Sequence, residues 1–377
     1  MKLLDRYVLR NFFEPFVICF LGFIAIWLVF DLTDNGPDFI EGRASFKQIA
    51  NFYATQLPQT IVISLPVGLL LALLFSLSRM SRSNEIISML TAGRSVMRML
   101  APLIVVGVLA SGVCLALNYR WAPHAEATKK AALEQITKGR KDRNAIEGHL
   151  FVDRQNDRIW YVRKLNRSKG SLDGVHITQR NPEGAIVKKW YASRAEFEAP
   201  TATWVLRKGR TVEFNETGDI IANDVFPGGS RRITGWTETP WRIASSQLEP
   251  QNLSIPELED YLDQNSDVPS AQLAPFRTYL EHRWALPWAC LVVVFIAAPL
   301  GIVYSRRGVL AGVASSIFIF FGMLFLTNFL LALGKGGRIP ASVAGWAPNA
   351  AFAVVGLILL YLRSTNRDLP RLFARGR

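Results

Sequence analysis

Apolar residues in this chain gather into six long blocks separated by polar stretches. They cover 16–30, 57–77, 100–119, 284–304, 309–333 and 343–362. A bilayer-spanning helix needs ~20 mostly apolar residues, and each block reads as one such span. The first is extended at its start by the amphipathic run LLDRYVLRNFF. Its charged start and apolar core resemble a signal peptide, but the following DLTDNGPDF offers no small-residue cleavage site, so a retained helix is expected.

Between the third and fourth blocks the pattern changes. Residues 120–283 are too polar to span and carry short β-rich runs. HLFVDRQNDRIWYVRKL holds two such runs around Gln155-Asn156-Asp157, a hairpin signal. GVHITQRNPEGAIVKKWYASRAEF repeats the design around Asn181-Pro182-Glu183-Gly184. Further turns are expected at Lys208-Gly209 and Thr217-Gly218. Short strands joined by regular turns predict an antiparallel sandwich, jelly roll or open barrel. Near Ser254 the run SIPELEDYLDQN predicts a short helix, with a Ser cap and Pro in the first turn. AQLAPFRTYLEHRW then leads helically into the fourth span. The sequons at Asn166, Asn215 and Asn252 stand without any other sign of a glycosylating host.

Charge adds orientation. The net charge of +13 could suggest nucleic acid, but the Arg residues flank apolar blocks instead of forming one stripe. The mean hydropathy of +0.18 agrees with a membrane protein. One side of the spans carries Lys2, Arg6, Arg10, Arg79, Arg82, Arg94, Arg98, Arg306, Arg307, Arg363, Arg367, Arg371, Arg375 and Arg377. The short loops of the other side carry Arg43, Lys47, Lys335 and Arg338. Cytoplasmic loops hold the Lys and Arg excess, so both termini are expected in the cytoplasm and the β-rich segment outside.

Little in the chain suggests catalysis. No GxxxxGK[ST], HExxH or GxSxG occurs. His124, His149, His176 and His282 are scattered, without metal-ligand spacing. Cys19, Cys114 and Cys290 all sit inside apolar blocks and read as small packing residues. The blocks hold almost no ionisable groups, which disfavours an ion-driven carrier. A membrane enzyme lacks a convergent acid, base or metal set. No cofactor is expected.

The stretch SRMSRSNEIISMLTAGRSVMRM, 78–99, lies between the second and third spans. Ser83 can cap a helix starting at Asn84, and Glu85 falls in its first turn, where the helix dipole favours an acid. Ile86, Met89 and Leu90 share one face. Gly93 can end the helix and Ser95 can cap the next span. Two readings stand open. One is an interfacial helix lying on lipid, with its Arg residues at phosphates. The other is a helix offering its apolar face and oriented acid to a cytoplasmic partner, as ABC-type permeases couple to separate ATPases.

These residues together resemble the LptF/LptG (YjgP/YjgQ) family of lipopolysaccharide export permeases. The resemblance rests on LLDRYVLRNFF, on LPxxxxxxLPVGLLLALLFSLSRMSRSNEIISMLTAG, on WAP after the third span, on SIPEL, on YLEHRWALPWACLVVVFIAAPLG and on GWAPN at 345–349. It spans nearly the whole chain. It implies an α-helical inner-membrane protein with six transmembrane helices and an inserted β-jelly-roll-like periplasmic domain. The expected domains are 1–120, with a coupling helix at 83–93, then 121–283, then 284–377. The resemblance implies a permease subunit without its own nucleotide site. Its partners would be an LptB-like ATPase dimer, a second LptF/LptG-type subunit, LptC- and LptA-like periplasmic proteins, and lipopolysaccharide itself. Coupling to the ATPase would fall to Arg82, Glu85, Ile86, Met89, Leu90 and Gly93, and the lateral gates to the first and fifth spans. Some family members carry a basic residue near the outer end of the first span. This chain has Asp31, Asp34 and Asp38 there, so Arg43, Lys47, Lys335 and Arg338 are the candidate head-group contacts. The alternative is a membrane-anchored scaffold whose outer β domain binds periplasmic proteins through strand edges without moving lipid.

Overall fold

Helix α1 (Leu3–Glu41) runs unbroken for 39 residues, well beyond its apolar block. The computed structural model describes residues 3–138, 145–153, 156–166, 171–215, 217–245, 249–266, 268–302 and 308–365. Lys2, Arg306, Arg307, Arg367, Arg371, Arg375, Arg377, Gln155 and Tyr304 lie outside them. The chain divides into two units. One comprises Met1–Gly139, Pro250–Glu259 and Leu273–Arg377, and the other Arg140–Glu249 and Asp260–Gln272.

In the first unit α1 is followed by α2 (Phe46–Arg82), the short α3 (Glu85–Thr91), α4 (Val96–Arg120) and α5 (Ala125–Lys138). Six stretches among the described residues are long and apolar enough to cross a membrane: Leu3–Glu41, Phe46–Arg82, Val96–Arg120, Ser270–Gly301, Ala314–Lys335 and Ala341–Ser364. Each predicted span is therefore present, and most are longer than their apolar blocks. DLTDNGPDF, read as the polar end of the first span, is helical through Pro37. Packing overrides local propensity there. Phe39 is buried against Phe52 and Ile136, and Asp31 is paired with Lys129 of α5 at 2.5 Å. α2 starts with a reciprocal cap, in which Gln48 N–H donates to Ser45 Oγ and Ser45 N–H donates to Gln48 Oε1.

The central layer of this unit is α2 against α4 and α9 (Ala289–Gly301), with Leu69, Leu73, Leu77, Leu100, Leu103, Val293 and Ala297 buried between them. Backbones approach closely where side chains are absent. A Cβ on Gly301 would stand 2.9 Å from Leu77 Cβ, and one on Gly356 would stand 2.7 Å from Phe295 Cβ. Cys114 and Cys290, read as unrelated packing residues, face each other as free thiols with sulfurs 3.7 Å apart. α8 (Ser270–Ala285) enters α9 through the 3-10 turn Leu286–Trp288, and α10 (Gly308–Lys335) and α11 (Ala341–Ser364) close the unit. The GWAPN motif has a visible task. Its Trp346 Nε1 donates to Glu281 Oε2 and its Asn349 Nδ2 to the Ala285 carbonyl, which fixes α11 on α8.

The second unit is a seven-stranded antiparallel sheet in the order β1-β2-β3-β4-β5-β6, with β7 also on β5. The strands are β1 (Ala145–Asp153), β2 (Arg158–Asn166), β3 (Ser171–Arg180), β4 (Ile186–Glu198), β5 (Thr203–Phe214), β6 (Ile220–Val225) and β7 (Ser230–Ile233). Turns fall at Asn156-Asp157, at 181–185 and near Gly218, as the sequence predicts. The expected turn at Lys208-Gly209 is absent, because β5 runs straight through it. Lys208 takes a positive φ of 49° there, so the Lys-Gly pair distorts a strand instead of ending it. One face buries Trp160, Val162, Val175, Ile177, Trp190, Trp204 and Leu206, with Ile243 of α6 (Pro240–Ser245). A charged network is sealed among them. Arg158 Nε and Nη2 donate to Glu238 at 2.6 and 2.9 Å, and Trp160 Nε1 donates to Glu238 Oε1. Asp153 lies between Arg158 and Arg242. One of the boundaries between the units falls within α7 (Ile255–Gln264), which begins where Ser254 N–H and Oγ–H both donate to Glu257 Oε2.

Candidate functional site

Helix α3 is short because its ends are firmly set. It begins at Glu85, and Asn84, with a left-handed φ of 60°, is its N-cap. The expected Ser83 cap on a helix starting at Asn84 does not form. The Ser83 hydroxyl donates to Glu85 Oε1 at 2.8 Å instead. At the other end Gly93 N–H bonds the Leu90 carbonyl and Arg94 N–H bonds the Met89 carbonyl. That pair is a Schellman stop, and it needs the positive φ of 77° that Gly93 supplies. Ser95 caps α4 by accepting from Arg98 N–H.

The apolar face of α3 points the opposite way from the docking expectation. Ile86 is 1% exposed and Met89 9%, and both belong to the core of the span bundle, with Leu90 packed beside them. The residues left outward are Ile87, Ser88, Thr91, Ala92 and Gly93, flanked by Arg82 and Arg94. Periodicity identifies an apolar face but not what covers it. Here the chain's own helices cover it.

Glu85 is held in place. Its Oε2 accepts from the Tyr7 hydroxyl at 2.9 Å, which ties α3 to the first turns of α1. Arg98 and Asp5 approach to 3.8 Å beside this contact. Sequence spacing does not announce the Tyr7–Glu85 contact, since 78 positions separate the two residues.

The four candidate head-group cations have different settings. Arg43, Lys47 and Arg338 are exposed, and Lys335 is half-buried with its Nζ 5.5 Å above the Tyr279 ring. A fifth cation was hidden from the sequence, one residue before the predicted fourth span. Arg283 is 8% exposed inside the first unit. It donates to Asn118 Oδ1 at 3.2 Å and to the Gln251 carbonyl at 2.5 Å, and its Nε is buried without a hydrogen-bond partner. It lines a cavity of about 510 Å3 whose walls include Val62, Val67, Phe320, Met323 and Leu324. The polar part of its lining includes Glu126, His282, Asn118 and Gln251 beside Arg283, so the hollow joins an apolar wall to a polar one.

The spans also differ in how far the chain covers them. In the most apolar window of α1 6% of residues are buried, and in that of α10 22%, against 33–72% for the other four. Ile18, Val29, Phe30, Phe318 and Phe325 are exposed, at 64–72%.

A family model described as "Lipopolysaccharide export system permease LptF/LptG" matches residues 6–362. The chain belongs to the LptF/LptG family. Over 380 residues it is also 22% identical to the lipopolysaccharide export system permease protein LptG of Haemophilus influenzae, covering 97% of this chain and 99% of that protein. As an LptF/LptG-family permease it is a membrane transport subunit of the lipopolysaccharide export system, with six apolar span candidates and an antiparallel sheet set between helices.

Proposed function

We propose that this permease subunit works as one of a pair, and that a separate LptB-like ATPase dimer drives it through α3. The pair would draw lipopolysaccharide from the inner membrane and pass it to LptC- and LptA-like proteins. In this reading both termini are cytoplasmic, residues 83–93 face the ATPase, and the β-rich segment within 121–283 is periplasmic.

The observation that carries it is the build of α3. A helix that receives a push must be fixed to the spans that move. Ile86, Met89 and Leu90 root it in the bundle, and Tyr7 grips Glu85 from α1. The docking surface is then the outward face of Ile87, Ser88 and Thr91 with Arg82 and Arg94 at its rim, and Gly93 shapes its end. A helix merely resting on lipid would turn its apolar face outward. The sparse coverage of α1 and α10 supports pairing, since apolar faces left open within one chain are available to a second subunit. The Arg283 cavity supports lipid binding. Arg43, Lys47, Lys335 and Arg338 remain the candidate outer contacts for phosphates. Exposed edge residues on β1 and β6, such as Val152 and Ile221, favour strand addition by periplasmic partners. That feature would also serve a scaffold without transport activity, but a scaffold has no use for a rooted α3.

The test is affinity purification of the Glu85→Lys variant in mild detergent. Reversing the charge that Tyr7 and Ser83 hold is expected to weaken recovery of a nucleotide-binding dimer with the wild-type partner subunit. Unchanged recovery removes the Glu85 anchor from the coupling role. Reporters at Gly93 and in the turn at Gly184 are expected on opposite sides of the membrane, and finding both on one side overturns the layout.

A further inference from the structure

One row of side chains crosses the whole sheet on the face opposite its Trp-rich core. Leu150, Tyr161, His176, Tyr191, Arg210 and Val225 are successive cross-strand partners on β1 to β6. The rings of Tyr161 and His176 are 5.7 Å apart, those of His176 and Tyr191 5.0 Å, and Arg210 Cζ lies 5.4 Å above the Tyr191 ring. The row separates two hollows of about 590 and 260 Å3. Arg163, Lys208 and Arg210 line the larger and Lys189 lines the smaller, and among the described residues neither lining includes a carboxylate. Gly174, at a positive φ of 65°, makes room for Arg163, whose Nε would stand 2.9 Å from a Cβ there.

The three outward rings follow one another in register, tilted 46° and 67° to their neighbours, so they form a walled cradle. A cleft of one sign of charge concentrates anions. Guanidinium groups fit phosphate oxygens bidentately, and the CH-bearing face of a pyranose ring lies flat on Tyr and His rings. We propose that this row is a binding site for a phosphorylated saccharide, the sugar seated among the tilted rings of Tyr161, His176 and Tyr191 and its phosphates met by Arg163, Lys208 and Arg210 on one flank and Lys189 on the other. The site lies in mid-sheet, so strand addition, which needs an edge, does not explain it. Its occupant is the phosphorylated head of the exported glycolipid, and this identification rests on the export reading above.

The experiment titrates the full-length protein in detergent with a phosphorylated glucosamine disaccharide that carries no acyl chains, read by isothermal calorimetry. Saturable binding is expected, weakened at least about tenfold in Arg210→Gln and for the dephosphorylated disaccharide. Tyr191→Ala is expected to remove the preference for the disaccharide over inorganic phosphate. Tryptophan fluorescence of each variant checks that the core on the other face is intact. No saturable binding up to roughly 1 mM overturns the proposal. So does unchanged affinity in the Arg163→Gln/Arg210→Gln double variant, or competition by an acidic peptide but not by the phosphorylated sugar. Lipopolysaccharide extraction from vesicles by the assembled complex tests the export reading separately. Intact extraction without disaccharide binding sinks the site alone, and a wild-type complex that binds the disaccharide but extracts nothing sinks the export reading alone.

Discussion

In the helical unit, closeness comes from side chains that are missing. Gly301 admits Leu77 and Gly356 admits Phe295, and the interface polar groups are mostly single hydrogen bonds such as Asn349 to the Ala285 carbonyl. In the sheet unit, Trp160 and Trp204 fill the core, and Glu238, Asp153, Arg158 and Arg242 are sealed beside them. The solvents explain the contrast. Lipid tails are as apolar as Leu, so helices gain by close van der Waals approach and not by hiding area. Water rewards the burial of large rings. Charges can accompany them because each carboxylate there has a guanidinium partner.

The sheet side of this contrast breaks with one substitution. Glu238→Ala removes both short hydrogen bonds of the buried Arg158 and leaves it the 3.8 Å contact with Asp153, a loss of about 3 kcal/mol. Hydrogen exchange is expected to speed in β1 to β5 while α2, α4 and α9 stay protected. Equal loosening of both units would mean that they do not hold themselves together separately.

On the helical side, Gly356→Val forces a side chain into Phe295, costing about 1–3 kcal/mol. The expected result is a lower melting temperature in detergent with the sheet's tryptophan emission unchanged. Tyr7→Phe is milder. It removes one half-exposed hydrogen bond to Glu85, about 1 kcal/mol. ATP hydrolysis by the assembled complex is expected to respond less to lipopolysaccharide while its basal rate persists.

The smallest effect is a pH dependence in the sheet. The hydrogen bond and charge of Lys188 hold the Glu213 carboxyl below its ordinary range. A depressed folded-state pKa means that the pair stabilises the sheet above the ordinary carboxylate range and is lost as pH falls through the depressed value. Glu213→Gln is expected to lower the sheet's stability slightly at neutral pH and to leave it unchanged at low pH, which flattens the acid limb of the unfolding curve.

Much of the architecture could be read from the pattern of residues, since a bilayer imposes a length and a composition on every crossing. Where the elements stop was less legible. α1 continues through Asp31 to Glu41 because Lys129 and Phe52 await it, and both lie far along the chain. α5 went unread although AEATKKAALEQITK is built of good helix formers, because its neighbours resembled the start of a β segment. Lys208-Gly209 carries turn chemistry but occupies a strand whose two ends pair with different neighbours. At α3 the amphipathic face, Gly93 and Ser95 were legible as local chemistry. The inward direction of that face, the Tyr7 grip and the Arg283 cavity depend on contacts across 78 or more positions or on helices that the sequence does not bring together.

The length of α1 has a mechanical consequence. At 1.5 Å per residue its 39 residues extend roughly 58 Å, about twice the thickness of the hydrocarbon layer. Tyr7 near its start holds α3, and Phe39 near its end packs on Ile136 of α5, roughly 48 Å further along the axis. One element thus carries both contacts. A tilt given to it at α3 reaches α5 within the same element, without any relay of side chains between them.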